Sequence, residues 1–400
     1  EVVDSTLESD TLNYIDCKIQ LMPTDKYSFA AEAKGTNTGG NFGVALDFTI
    51  TSRNIFRGGE NLSLKLGAAY EAQALVTNTS NLFNTFEFSA NLKLDIPRFY
   101  FPIKNKFLSE TYRPKTFINI GGNYQQNPDY KRFISIGYFG YEWNQGKKVK
   151  HQFSPIDINN VKINPSDRFK EIISTFNRIR QEQYTDHILV AMKYNFIYDN
   201  QNRIKGNNFI FFRYGIESVG NILNLAMKLS NAEMNSSDQY TIGGIPYANY
   251  LLTDFDFRYY HQFTRKSRIV YRTAFGIGIP FTNSFALPFE KSFALGGPNN
   301  MRGWKMRELG PGSYNGEKNS ESIGDIKFET NVEYRFPIWD YFRGAIFADA
   351  GNIWLLRQNK TLPDGEFNFG KFYNQLALDA GFGIRLDFDY FLIRFDAAIP

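Results

Sequence analysis

Apolar and polar residues alternate with period two through one segment after another of this 400-residue chain. Between Phe42 and Thr51, the set Phe42, Val44, Leu46, Phe48 and Ile50 opposes Gly43, Ala45, Asp47, Thr49 and Thr51. The same pattern runs from Leu62 to Glu71, Phe86 to Asp95, Asp254 to Tyr259, Asp325 to Phe336, Gln375 to Asp387 and Phe391 to Ile399. Successive side chains of a strand point to opposite faces, so each segment predicts a β-strand with one greasy and one wet face. The wet faces carry charge along their whole length, which suits a water-filled interior better than a dry one. Many segments reach about ten residues, the length a tilted strand needs to cross a bilayer, whereas sandwich strands usually run to about five or six. The pattern predicts an all-β chain folded as a transmembrane antiparallel up-and-down β-barrel. A soluble two-sheet sandwich would show the same alternation and is the competing architecture.

Connections alternate in length. Asn54 to Glu60, Asn144 to Lys147, Thr264 to Ser267, Pro337 to Tyr341 and Asp387 to Tyr390 are short, whereas Leu75 to Asn84, Ile156 to Asp186, Ser218 to Tyr250, Gly278 to Gly324 and Leu355 to Phe372 are long. Transmembrane barrels keep short turns on the periplasmic side and long loops outside, which orients the chain. The long stretch from Ile96 to Lys115 falls on the short side, and the sequence offers no reason for it. Two loops carry helical spacing: Phe169, Ile172, Ile173, Phe176 and Ile179 after Asn164-Pro165 as cap and first position, and Ile222, Leu223, Ala226 and Leu229 after Ser218. Such helices would plug or cover the mouth, or pack only on their own loops. Counting from Tyr27 gives about fifteen strands, so residues 26–400 are expected to be barrel and 1–25 a lead-in.

Composition narrows this further. Aromatic residues make up 17% of the chain, as expected where rings form belts at membrane interfaces. Mean hydropathy is negative and no run of eighteen apolar residues occurs, so no helical span is predicted, while a barrel remains open because its strands show lipid only alternate side chains. A formal net charge of +4 without a basic run implies no nucleic-acid partner. The single cysteine, Cys17, falls on the apolar side of Ile15, Ile19 and Leu21 and reads as a small buried thiol. The chain starts at Glu1 without a leader, which fits a processed protein or a fragment. Only His151, His187 and His261 are present, far apart, and no GxSxG, HExxH or phosphate-binding loop occurs. Neither an enzyme, a metal site nor a cofactor is predicted.

One loop stands apart. Leu295 to Tyr314 is too rich in Gly, Pro and Asn for a strand or helix, yet it carries Arg302, Trp304, Lys305 and Arg307. Further on, Phe347-Ala-Asp349-Ala-Gly351 closes an alternating strand, and Asp349 is suited to receive Arg302 in a bidentate contact. Met301-Arg302-Gly303-Trp304 and Phe347 to Gly351, joined by the strand ending Glu333-Tyr-Arg-Phe-Pro337, resemble the BamA/TamA family of outer-membrane protein assembly factors. That family carries (V/I/M)RG(F/Y/W) at the tip of its sixth extracellular loop and FxDxG on its thirteenth strand. The resemblance covers most of the chain and is densest from Phe293 to Pro400.

The resemblance implies a 16-stranded barrel whose last strand would follow Pro400, with residues 1–25 as a fragment of a preceding periplasmic POTRA domain. It implies that Arg302 folds into the lumen against Asp349 and Glu333, beside Phe347 and Gly351, with Gly303 allowing close approach and Trp304 packing on the wall. A lateral seam is expected at Tyr27, Phe29 and Ala31 on a short first strand, Lys26 to Lys34, followed by a soft turn, Gly35 to Gly40. Nascent outer-membrane or secreted proteins would be the clients, with outer-membrane lipid and periplasmic or lipoprotein accessory subunits as further partners, in a Gram-negative cell. A two-partner secretion pore of the same superfamily and a passive porin or nutrient channel are the alternatives.

Overall fold

The computed structural model describes residues 2–3, 16–18, 20, 22, 24–38, 41–72, 83–100, 112–174, 184–201, 208–264, 266–315, 322–360, 362–388 and 392–400. Fifteen strands form one antiparallel sheet in strict chain order. They are β1 (Tyr27–Thr38), β2 (Asn41–Arg53), β3 (Asn61–Ala72), β4 (Thr85–Ile96), β5 (Lys115–Gln126), β6 (Tyr130–Gln145), β7 (Val149–Pro165) and β8 (His187–Asp199). The sheet continues through β9 (Phe209–Val219), β10 (Tyr250–Gln262), β11 (Arg268–Pro280), β12 (Ile326–Trp339), β13 (Phe342–Trp354), β14 (Ala377–Asp387) and β15 (Leu392–Ile399). Its two edges are β1 and β15, and among the described residues no ladder joins them.

Burial separates membrane barrel from sandwich. Greasy side chains lie on the exposed face, with Leu46 66%, Ile346 58% and Phe382 62% accessible, whereas Glu329, Glu333, Asp349 and Arg385 on the other face are 0–6% accessible. A soluble sandwich would bury the first set and expose the second. The inversion is that of a barrel with lipid outside and a polar interior. Aromatic residues crowd the short-turn end of the outer face, where Phe56, Phe263, Trp339 and Tyr341 are exposed and Trp339 stacks on Phe342. No described helix is long and apolar enough to cross a membrane.

Several elements differ from the expected ones. The first strand is not short: β1 pairs with β2 from Tyr27↔Ser52 to Thr38↔Asn41, and Gly35 lies within the ladder opposite Val44 rather than opening a turn. Ladder hydrogen bonds come from the backbone, so a glycine weakens a strand without ending it when its neighbour supplies a full partner. Likewise β7 runs to Pro165, well beyond the expected loop start at Ile156, because it pairs along the equally long β6 as far as Tyr130↔Pro165, across an irregularity near Phe139 and Tyr141. Helix α1 (Asp167–Ser174) therefore starts two residues later than expected, with Ser166 Oγ accepting the Phe169 N–H; Phe176 and Ile179 lie outside the described residues. Helix α2 (Asn221–Leu229) opens after Gly220, since Ser218 still belongs to β9. The β5–β6 hairpin adds a short turn to the long-loop end.

The unexplained connection after Ile96 has a physical account in its first residues. Phe99 is buried edge-on against the Tyr141 and Trp143 rings, and Thr116 Oγ donates to the Arg98 carbonyl at 2.8 Å while accepting the Tyr100 N–H at 2.9 Å. Arg98 also reaches Glu60 in the β2–β3 turn at 3.4 Å. The Glu60 carboxylate accepts the Gly58 N–H at 2.9 Å, and such backbone hydrogen bonds, its own N–H first, hold its carboxyl below the usual range. In the lead-in, Val2–Val3 pairs with Asp16–Cys17, and Tyr14, Ile15, Ile19 and Leu21 of the alternating stretch from Tyr14 to Met22 lie outside the described residues.

Candidate functional site

After β11 the chain turns into the lumen instead of standing above it. Residues 295–307 make a tight tip closed by two backbone bonds, Gly297 N–H to the Trp304 carbonyl at 2.8 Å and Arg307 N–H to the Leu295 carbonyl at 3.0 Å. Met301 is fully buried with Leu295, Leu309 and Ile353 of β13, and Phe293, Trp304 and Ala377 pack around them. This apolar button orients the next residue.

Arg302 donates from Nε to Asp349 Oδ2 at 2.8 Å, from Nη2 to Asp349 Oδ1 at 2.9 Å and from Nη1 to Glu333 Oε2 at 2.7 Å. Its guanidinium lies 3.3 Å from the centroid of the Phe347 ring. The two-pronged geometry uses the planar fork that only arginine has, and the ring adds a cation–π contact in a place shielded from bulk water. Burial disfavours the charged guanidinium, but hydrogen bonds to Asp349 and Glu333 outweigh it, so Arg302 holds its proton more tightly than usual.

The tip is fastened beyond Arg302. Gly303 N–H donates to Asp379 Oδ2 at 3.0 Å, Asn331 Nδ2 to the Asn300 carbonyl at 3.1 Å and Arg272 Nη1 to the Asn299 carbonyl at 3.2 Å. Arg394 of β15 donates to Asn299 Oδ1 at 3.1 Å and to the Pro298 carbonyl. Gly303 is required by contact: a Cβ there would lie 2.8 Å from Asp379 Cβ. Behind the tip, Glu333 also receives Arg385 at 2.8 Å and Arg335, and Asp396 pairs with Arg394 at 3.0 Å. Four cations (Arg302, Arg335, Arg385, Arg394) thus face four carboxylates (Glu333, Asp349, Asp379, Asp396), so the cluster is charge-balanced.

The structure brings together Met301, Arg302, Gly303, Trp304, Glu333, Phe347, Asp349 and Gly351. It places Tyr27, Phe29 and Ala31 elsewhere, on the outer face of edge strand β1, with Phe29 stacked on Phe48. The chain matches the Omp85 superfamily domain over residues 27–400. It belongs to the Omp85 superfamily. Members of this superfamily are outer-membrane β-barrels that handle protein substrates without enzymatic chemistry. Among solved structures, the Omp85 chain resembles BamA from Haemophilus ducreyi lacking POTRA domains 1-3, with a TM-score of 0.64 at 15% identity over 100% of this chain and 71% of that one. It also resembles CdiB from Acinetobacter baumannii (TM-score 0.51, 11% identity, 100% of this chain and 60% of that one) and CdiB from Escherichia coli (0.52, 11%, 100% and 63%). No curated protein matches the chain in sequence.

Sequence reasoning missed a second anchor of the same Omp85 loop. Near its start, Lys291 pairs with Glu217 of β9 at 2.8 Å, while Glu290 lies 3.9 Å from Arg132 of β6 and 4.0 Å from His187 of β8. The loop is therefore tied to the wall at β6 to β9 and again at β11 to β15, and it spans the lumen. Lone charges such as Lys291 leave no local pattern, so no sequence signal marks them. Lys291→Met should free this near end at a modest cost of about 1 kcal/mol, since the pair is only partly shielded. Protease cleavage between residues 281 and 293 should rise while the denaturation midpoint moves little; unchanged cleavage would refute the second anchor.

Proposed function

We propose that this Omp85 barrel inserts or exports other proteins at the outer membrane of a Gram-negative cell through a seam at β1, with the lumenal loop pinned by Arg302. The observation that carries this reading is the clamp of Arg302 on Asp349 and Glu333, which holds a loop inside the barrel. β1 pairs along one side only among the described residues, so its other edge is available for strand addition by a client, where main-chain bonds supply affinity and alternate side chains meet lipid. Pairing of the client backbone and burial of its apolar face in lipid would drive the reaction. Residues 1–25 would belong to a periplasmic POTRA domain through which clients or accessory subunits dock.

Depletion in the source cell, followed by an inventory of outer-membrane proteins, tests this. Broad loss of other barrels is expected for a general insertase and loss of a subset for an accessory factor; loss of one secreted partner alone would make it a two-partner secretion pore. An unchanged inventory with large ion conductance that ignores substitution of Arg302 would overturn the proposal in favour of a porin.

A further inference from the structure

Helix α2 plays no part in the loop clamp, and its hydrogen bonds reveal which side of the wall it occupies. On β9, Arg213 and Glu217 make their ion pairs on the lumen face, with Asp254 and with Lys291, so Ser218 points to the outer face. Ser218, Leu251 and Ile279 lie opposite one another in the ladder and form one outward row. Asn221 Nδ2 donates to the Ser218 hydroxyl at 3.0 Å. Asn249, two residues before outward Leu251, donates from Nδ2 to Asn221 Oδ1 at 2.9 Å, and its Oδ1 accepts from Asn224 Nδ2 at 3.1 Å. These amides dock the polar flank of α2 on the outside of the rim, directly above the outward row.

The opposite flank is apolar and open. Ile222, Leu225 and Leu229 follow the i, i+3, i+7 spacing of a single stripe and are 66%, 59% and 76% accessible. Phe281, whose N–H donates to the Asn249 carbonyl at 2.8 Å, and Ile279 are also exposed and link this stripe to the outer face of β11. We propose that α2 lies in the outer-leaflet interface of the bilayer, its stripe among the acyl chains and Lys228 on its flank reaching headgroup phosphates. Lipid is the occupant because the stripe continues the lipid-facing row of the barrel.

Spin labels at Ile222→Cys, Leu225→Cys and Leu229→Cys, each in a Cys17→Ser background of the full chain in phosphatidylcholine vesicles containing phosphatidylglycerol, test the placement. Accessibility to oxygen, which partitions into lipid, is compared with accessibility to a water-soluble nickel chelate. Oxygen should prevail several-fold on the stripe, as at a label on outward Ile346, and nickel should prevail at Ser237 in the same loop. Nickel dominance on the stripe would overturn the proposal, and so would poor access to both reagents, which would mean that protein covers the helix. All three sites are exposed, so labelling leaves the barrel folded, as the heat-induced shift of each variant on gels will verify. The readout does not depend on the proposed insertion activity and fails separately from it.

Discussion

Arg302→Ala is expected to release the lumenal loop tip and destabilise the barrel by about 3–5 kcal/mol. The cost does not come from the ion pair as such, since a buried pair often does little better than a well-packed apolar replacement. It comes from what the substitution leaves behind: Asp349 and Glu333, both almost wholly buried, would lose the cation that three hydrogen bonds tie to them. Asp379, which accepts the Gly303 N–H, adds a like charge to the same place. Arg302→Lys should recover only part of the loss, because a single ammonium cannot satisfy Asp349 with two prongs and Glu333 at the same time. Denaturant midpoints in bilayers measure the stability, and protease cleavage between residues 295 and 315 measures loop release. Equal midpoints for wild type and Arg302→Ala would mean that the tip is held by its apolar button alone. The charge exchange Arg302→Asp with Asp349→Arg should restore part of what each single change loses, as coupling between contacting residues requires.

Gly351→Val is expected to be nearly as damaging although it removes no polar contact. A Cβ at this position would lie 2.6 Å from the Phe328 carbonyl oxygen, 3.1 Å from Glu329 Cα and 3.2 Å from Met301 Sδ. The first two are backbone atoms of the neighbouring strand and have no rotamer to escape into. The third is the apolar button of the loop tip, which must retreat and take Arg302 with it. Overpacking of this kind costs about 1–3 kcal/mol, and a clash with backbone belongs at the upper end. Combining Gly351→Val with Met301→Ala should cost less than the two changes added, because the smaller side chain relieves one clash. Strict additivity in the denaturation midpoints would show that Gly351 serves only its own strand and not the loop.

Alternation, a local property, made the strands and their faces legible. The count of about fifteen strands from Tyr27 agrees with the sheet, in which the motif loop follows the eleventh strand and Asp349 lies on the thirteenth. Where local signals compete, the reading failed. Gly35 in β1 looked like a turn, and Ile156 in β7 looked like the start of a loop, because neither position reveals the partner strand that holds it extended. In the clamp, the MRGW and FxDxG segments named Arg302 and Asp349, but Asp379, Arg385, Arg394 and Asp396 belong to no motif.

Which faces are wet, the order of the elements and the residue types able to tether a loop follow from local pattern, because each of these depends on neighbours a few positions apart. Folding in three dimensions sets that Arg302 lies over Phe347, that Lys291 ties the start of the loop to Glu217 and that Asn249 fastens α2 through Asn221 and Asn224. Those contacts join residues far apart in the chain, 47 positions for Arg302 and Asp349 and 74 for Lys291 and Glu217. Only the curvature and register of the whole sheet bring such residues within hydrogen-bonding distance.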